Sequence, residues 1–136
     1  MERFQVDVHR MTAIKAALDN VIGKCSELAV CHYQACGEAG VKDCLEHAVS
    51  RLTEWSNRTQ SSLSDTAGAW SWANRESVYQ WIYRLDEMLS VTARYLVVDV
   101  RMDPAFPQAA EALYEALYAE FKKLDGLVRS EKELYH

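Results

Sequence analysis

Two histidines and two cysteines near the end of the first third of the chain carry the one spacing that suggests chemistry. His32 and Cys36 stand four apart, and Cys44 and His47 three apart. On a helix, residues three or four apart share a face. A turn between the two pairs would therefore gather two imidazoles and two thiols, a donor set that suits tetrahedral zinc. The same pattern offers a thiol pair, Cys36 with Cys44. The competing reading is structural. Cys25, His32 and Cys36 fall on one apolar stripe, where cysteine behaves as a small hydrophobe and a histidine is a core residue with a hydrogen-bond partner. The paired Cys-x2-Cys knuckles of zinc ribbons are absent from the sequence.

Other catalytic patterns are thin. Glu133-Leu-Tyr-His136 matches the Glu-x-x-His of carboxylate dimetal bundles, but it has no inward-facing counterpart and lies at the last residues. There is no glycine-rich phosphate loop and no recognisable nucleophile motif. Asp99 interrupts Leu96-Val-Val-Asp-Val100. It reads as part of a solvated strip, or as a carboxylate paired with Arg94 or Arg101, because an unpaired buried carboxylate is expensive.

These residues need elements to position them, and the chain supplies helices. It has 136 residues with only five glycines and two prolines, so most of it has no backbone reason to break a helix. The stripe Met11, Ile14, Leu18, Val21, Cys25, Leu28, His32 alternates steps of three and four and predicts a first helix from about Phe4 to Cys36. Gly37-Glu-Ala-Gly40 reads as stop and turn. A second helix is expected from Val41 to Leu63, with Val41, Leu45, Ala48, Leu52 and Trp55 inward. It should fray through the Ser-rich stretch Thr59–Thr66. The connection Ala67–Ala73 reads as irregular or as a short helix. A third helix is expected from Asn74 as cap to Met102, and a fourth from Pro107 to Leu134. The inner face of the fourth would carry Ala109, Leu113, Ala116 or Leu117, Glu120 or Phe121, Leu124 and Leu127. The sum is a single all-α domain over residues 1–136, a four-helix bundle in antiparallel up-down order.

The net charge of −5 and the absence of a basic stripe argue against direct nucleic-acid binding. No run of apolar residues is long enough for a membrane span. The charged N-terminal ten residues do not read as a signal peptide, so the expected location is cytoplasmic and the four cysteines are expected to be reduced.

What remains is excess apolar surface. The third helix carries Val78, Trp81, Ile82, Leu85, Leu89, Thr92 and Leu96, and beside them Tyr79, Tyr83, Met88, Val91, Tyr95 and Val98. One covered face needs only about a 100° stripe. The fourth helix adds Tyr114 and Tyr118, and the connection adds Trp70 and Trp72. Interfaces enrich these residue types. The expected function is therefore a non-enzymatic protein-interaction module, such as an inhibitor, adaptor or regulatory subunit. Trp70, Trp72, Tyr79, Tyr83, Tyr114 and Tyr118 would touch a protein partner, or a second copy in a homodimer. One alternative is a metal- or thiol-responsive protein using His32, Cys36, Cys44 and His47, with zinc as the metal. Another is a small-ligand binder or enzyme with a pocket between helices.

Overall fold

The computed structural model describes residues 4–6, 8–36, 39–65, 70–72, 75–94, 100–102, 104 and 106–135. Four helices account for most of them: α1 (Val8–Cys36), α2 (Ala39–Asp65), α3 (Arg75–Arg94) and α4 (Glu111–Tyr135). Two short strands, β1 (Phe4–Val6) and β2 (Trp70–Trp72), pair antiparallel.

The side-chain contacts give the order of the bundle. Lys15, early in α1, reaches Ser56, late in α2. Arg10 at the start of α1 binds Glu131 near the end of α4 at 2.6 Å. Lys132, late in α4, lies over Tyr83 in the first half of α3 and binds Asp86, just past its middle, at 2.9 Å. Trp55 of α2 meets Trp81 of α3 edge to face. Each successive helix therefore runs against the one before, and α4 runs against α1: an up-down four-helix bundle. α1 packs most extensively against α2 and α4, and α4 also packs on α3. The α2–α3 seam is much the least intimate of the four.

The predicted α1 stripe is the centre of the core. Met11, Ile14, Leu18, Val21, Cys25, Leu28 and His32 are all fully buried. Leu45, Leu52 and Trp55 join them from α2, and Ile82, Leu85 and Leu89 from α3; Ala48 is buried too. Each large aliphatic side chain so buried contributes about 1.5–3 kcal/mol over its exposed state. Burial pushes the Cys25 thiol up to about 12, which makes it an inert core group.

The structure corrects several local expectations. Phe4–Val6 is not the first turn of α1 but a strand. It forms because Trp70–Trp72, expected as irregular or helical, offers it a partner of matching pattern. The register sets Phe4 against Trp72, Gln5 against Ser71 and Val6 against Trp70, apolar with apolar and polar with polar. The Ser-rich end of α2 does not fray at Leu63. The helix continues to Asp65, and Thr59 is buried with its hydroxyl donating to the Trp55 carbonyl at 2.8 Å. That bond inside the helix satisfies the polar group without breaking the turn.

At α4, Pro107 is extended (φ −78°, ψ 142°) and precedes a 3₁₀ turn, Gln108–Ala110, so the α-helix proper starts at Glu111. The buried face is also rotated from the expected one. Ala110, Tyr114, Leu117, Phe121, Leu124 and Val128 are buried, whereas Ala109 is exposed. The third helix is described to Arg94, and Arg101–Met102 already form a turn. Its proposed cap Asn74, and Tyr95, Leu96, Val98 and Asp99, lie outside the described residues. No helix among the described residues is long and apolar enough to cross a membrane.

Candidate interaction surfaces

The six aromatic residues singled out from the sequence do not form one patch. Trp70 and Trp72 belong to β2, and their side chains lie outside the described residues. The tyrosines divide into two pairs. Tyr79 and Tyr83 sit one turn apart on α3, with rings 6.0 Å apart. Tyr83 is 38% exposed. The Lys132 ammonium lies 4.9 Å above the Tyr83 ring, and its hydrogen bond to Asp86 holds it above the usual lysine range.

Tyr114 and Tyr118 stack on α4 at 6.3 Å. Tyr114 is only 7% exposed, so its ring serves the core rather than a free surface. Phe106 meets it edge to face at 5.9 Å, and the Arg101 guanidinium covers both rings, at 5.1 and 5.6 Å, while binding Glu111. Burial pushes the Tyr114 hydroxyl pKa up. Tyr118 remains 39% exposed. Because Lys132 stands fourteen residues beyond Tyr118 on the same helix, the two pairs are about 20 Å apart along α4.

The proposed zinc set is only partly described. His32 is fully buried and faces Phe106, ring centroids 6.0 Å apart. Both ring nitrogens lack a hydrogen-bond partner, so the partner expected for a core histidine is missing among the described residues. His47 is exposed and lines the α2–α3 side of the bundle. The side chains of Cys36 and Cys44 lie outside the described residues. Among the described residues no three His, Cys, Asp or Glu side chains converge. Cys25 and Cys31 are free thiols.

Two clefts are open to a ligand. One, of about 510 Å³, lies between α3 and α4 and is lined by Asp86, Ser90, Arg129, Lys132 and Glu133. Its cations are already engaged, Lys132 by Asp86 and Arg129 by Asp125. The other, of about 320 Å³, is the α2–α3 seam itself. His47, Ala48, Arg51 and Trp55 form one wall, and Arg84, Glu87, Met88, Val91 and Thr92 the other. Both sets are the consequence of helical spacing, which returns to the same face every three or four residues.

The groove has an apolar floor and a charged rim. Trp55 packs against Trp81 at 5.7 Å and closes one end. On its other side Arg58, bound to Glu54, covers the Trp55 ring. Ala48, with no side chain beyond Cβ, leaves room in the middle of the groove. Met88 is half-buried and Val91 is 54% exposed. The Thr92 hydroxyl donates to the Met88 carbonyl at 2.9 Å, so it presents its methyl side at little polar cost. Arg10, Arg58, Arg101 and Arg129 each reach a carboxylate. Among the described residues Arg51 and Arg84 on the rim have no such partner, as exposed Arg94 has none at the end of α3, although Glu87 is on the same wall as Arg84.

Sequence reasoning placed Ala48 and Trp55 on the inner face of α2 and counted Met88 and Val91 as surplus apolar surface. It missed Arg51 and Arg84. A signal existed: each is in helical register with those apolar positions, at Ala48 plus three and Met88 minus four. No protein-family model matches the chain, and neither the curated proteins nor the solved structures contain a significant match to it.

Proposed function

We propose that this chain is a non-enzymatic protein-interaction module, an inhibitor, adaptor or regulatory subunit of the cytoplasm that acts by binding another protein. The observation that carries the reading is the α2–α3 groove. In the α3–α4 cleft the cations Lys132 and Arg129 are held by Asp86 and Asp125, whereas this groove leaves Val91 and Met88 beside two arginines that have no carboxylate partner among the described residues. An apolar strip rimmed by unpaired charge is better satisfied by a second surface than by water. Tyr83 and Tyr118 extend the contact options on α3 and α4, at separate places.

The test is capture of partners from a lysate of the native host by the full chain, compared with Val91→Arg and with the double variant Tyr83→Ala, Tyr118→Ala. All three positions are exposed, so the fold should be kept, which circular dichroism checks. A protein retained by the parent and lost with Val91→Arg is the expected result. Sizing by light scattering shows whether that partner is a second copy. If every captured protein binds all variants equally and the chain is monomeric, the reading fails.

A further inference from the structure

We propose that the occupant of the α2–α3 groove is a short amphipathic helix of a partner protein, with acidic residues at the end that meets Arg51 and Arg84. The inference rests on the interaction reading above and adds the chemistry of the partner. It begins with the level of the residues. α2 and α3 run in opposite directions, and Trp55 stands against Trp81. Arg51 precedes Trp55 by four residues and Arg84 follows Trp81 by three. Both guanidinium groups therefore emerge about 5 Å along the groove from the tryptophan plug, one from each wall. Two exposed like charges on opposite walls of one groove, neither with a carboxylate partner among the described residues, favour an anion between them.

The rest of the groove asks for apolar groups. Beyond the arginines come Ala48 and Met88, and then Val91 and Thr92 beside His47. From Arg84 to Val91 is seven residues, roughly 10 Å of helix. That is two turns of a ligand helix. It predicts a carboxylate at one position and apolar side chains four and seven residues away, the first seated over Ala48 and the second against Val91. Glu87 stands between the arginine level and Val91, so acidity in the ligand is confined to its plug end.

A helix fits better than an extended strand. The walls are helices whose backbone groups are bonded internally, so recognition must come from side-chain ridges entering the groove. A nucleic acid fits poorly, because two arginines on a chain of net charge −5 cannot neutralise a long polyanion.

The probe is a synthetic sixteen-residue helical peptide with Glu at one position and Leu four and seven residues later on an alanine background. A second peptide carries Lys in place of that Glu. Both are titrated into the isotope-labelled full chain and followed by amide chemical shifts. The Glu peptide should perturb residues 47–55 and 84–92, and the Lys peptide should bind at least about ten-fold more weakly. In the double variant Arg51→Glu, Arg84→Glu the preference should reverse, which loss of folding cannot mimic. Should that variant not fold, Arg51→Gln, Arg84→Gln should abolish the preference. If the two peptides bind the parent equally, the acidic partner is wrong while the interaction reading stands. If the Glu peptide perturbs nothing in those spans, the inference is overturned, and the interaction reading is then decided by partner capture alone.

Discussion

The α1–α2 seam and the α2–α3 seam share a helix and differ in almost everything else. Along the first, Lys15, Asp19 and Ser56 close a polar triad: Lys15 donates to Asp19 at 2.6 Å and to Ser56 at 3.1 Å, and the Ser56 hydroxyl donates to Asp19 at 2.6 Å. Beneath them Leu18 and Leu52 are fully buried. Along the second, Met88 and Val91 are left partly bare and Arg51 and Arg84 are unanswered. A seam whose polar groups are satisfied internally holds the fold. A seam whose polar groups are not is where a partner gains most, because binding supplies what folding did not.

The sharpest way to break this contrast is to truncate an aliphatic side chain on each side. Leu52→Ala should cost about 2–5 kcal/mol in denaturant unfolding, by lost burial and a residual cavity. Val91→Ala should cost no more than a few tenths of a kcal/mol, as surface substitutions do. Similar losses at both sites would mean the groove is part of the core.

The next test concerns an exception on the closed side. His32 is the buried group on α1 whose ring nitrogens have no hydrogen-bond partner among the described residues. Leucine there removes two unmet polar atoms and keeps most of the volume, so His32→Leu should raise stability by about 1–2 kcal/mol. A clear loss would show that the imidazole has a partner in the folded protein and restore a ligand role to it.

A third test concerns the triad. Ser56→Ala should destabilise by about 1 kcal/mol near neutral pH. Burial alone would raise the Asp19 pKa, but the hydrogen bonds from Lys15 and Ser56, with the Lys15 charge, outweigh it and hold the carboxyl below its ordinary value. A lowered folded pKa stabilises above the unfolded value of about 3.9 and is lost as pH falls through the folded one. The Ser56→Ala deficit should therefore shrink below about pH 4. Asp19 is half exposed, so solvent screening keeps the whole effect modest. A deficit unchanged down to pH 2 would remove Asp19 from the account.

How much of this was legible follows from the range of each interaction. The α1 stripe was readable residue by residue, because a helix packed between two neighbours, α2 and α4, must repeat its apolar positions every three or four. The described part of the inward faces, Leu45, Leu52 and Trp55 on α2 and Ile82, Leu85 and Leu89 on α3, was readable for the same reason; the side chains of Val41, Val78 and Leu96 lie outside the described residues. The β1–β2 pair was not, because Phe-Gln-Val and Trp-Ser-Trp are too short to signal a strand alone and become one only when the fold brings Gln5 to Ser71, 66 positions along the chain. The rotation of the α4 face was hidden too. Ala109 and Ala110 are equivalent by type, and the 3₁₀ turn after Pro107 selects which one turns inward.

The sequence by itself determined four amphipathic helices, the identity of the central stripe and a surplus of apolar and aromatic side chains. Those depend on local periodicity and on the amount of surface a helix can hide. Only the tertiary structure decided where the surplus goes. It buries Tyr114 under Phe106 and Arg101, separates the tyrosine pairs, and leaves the α2–α3 seam open with Arg51 and Arg84 facing it. The physical reason is that helical spacing says which residues share a face, whereas the packing of whole helices decides which faces meet.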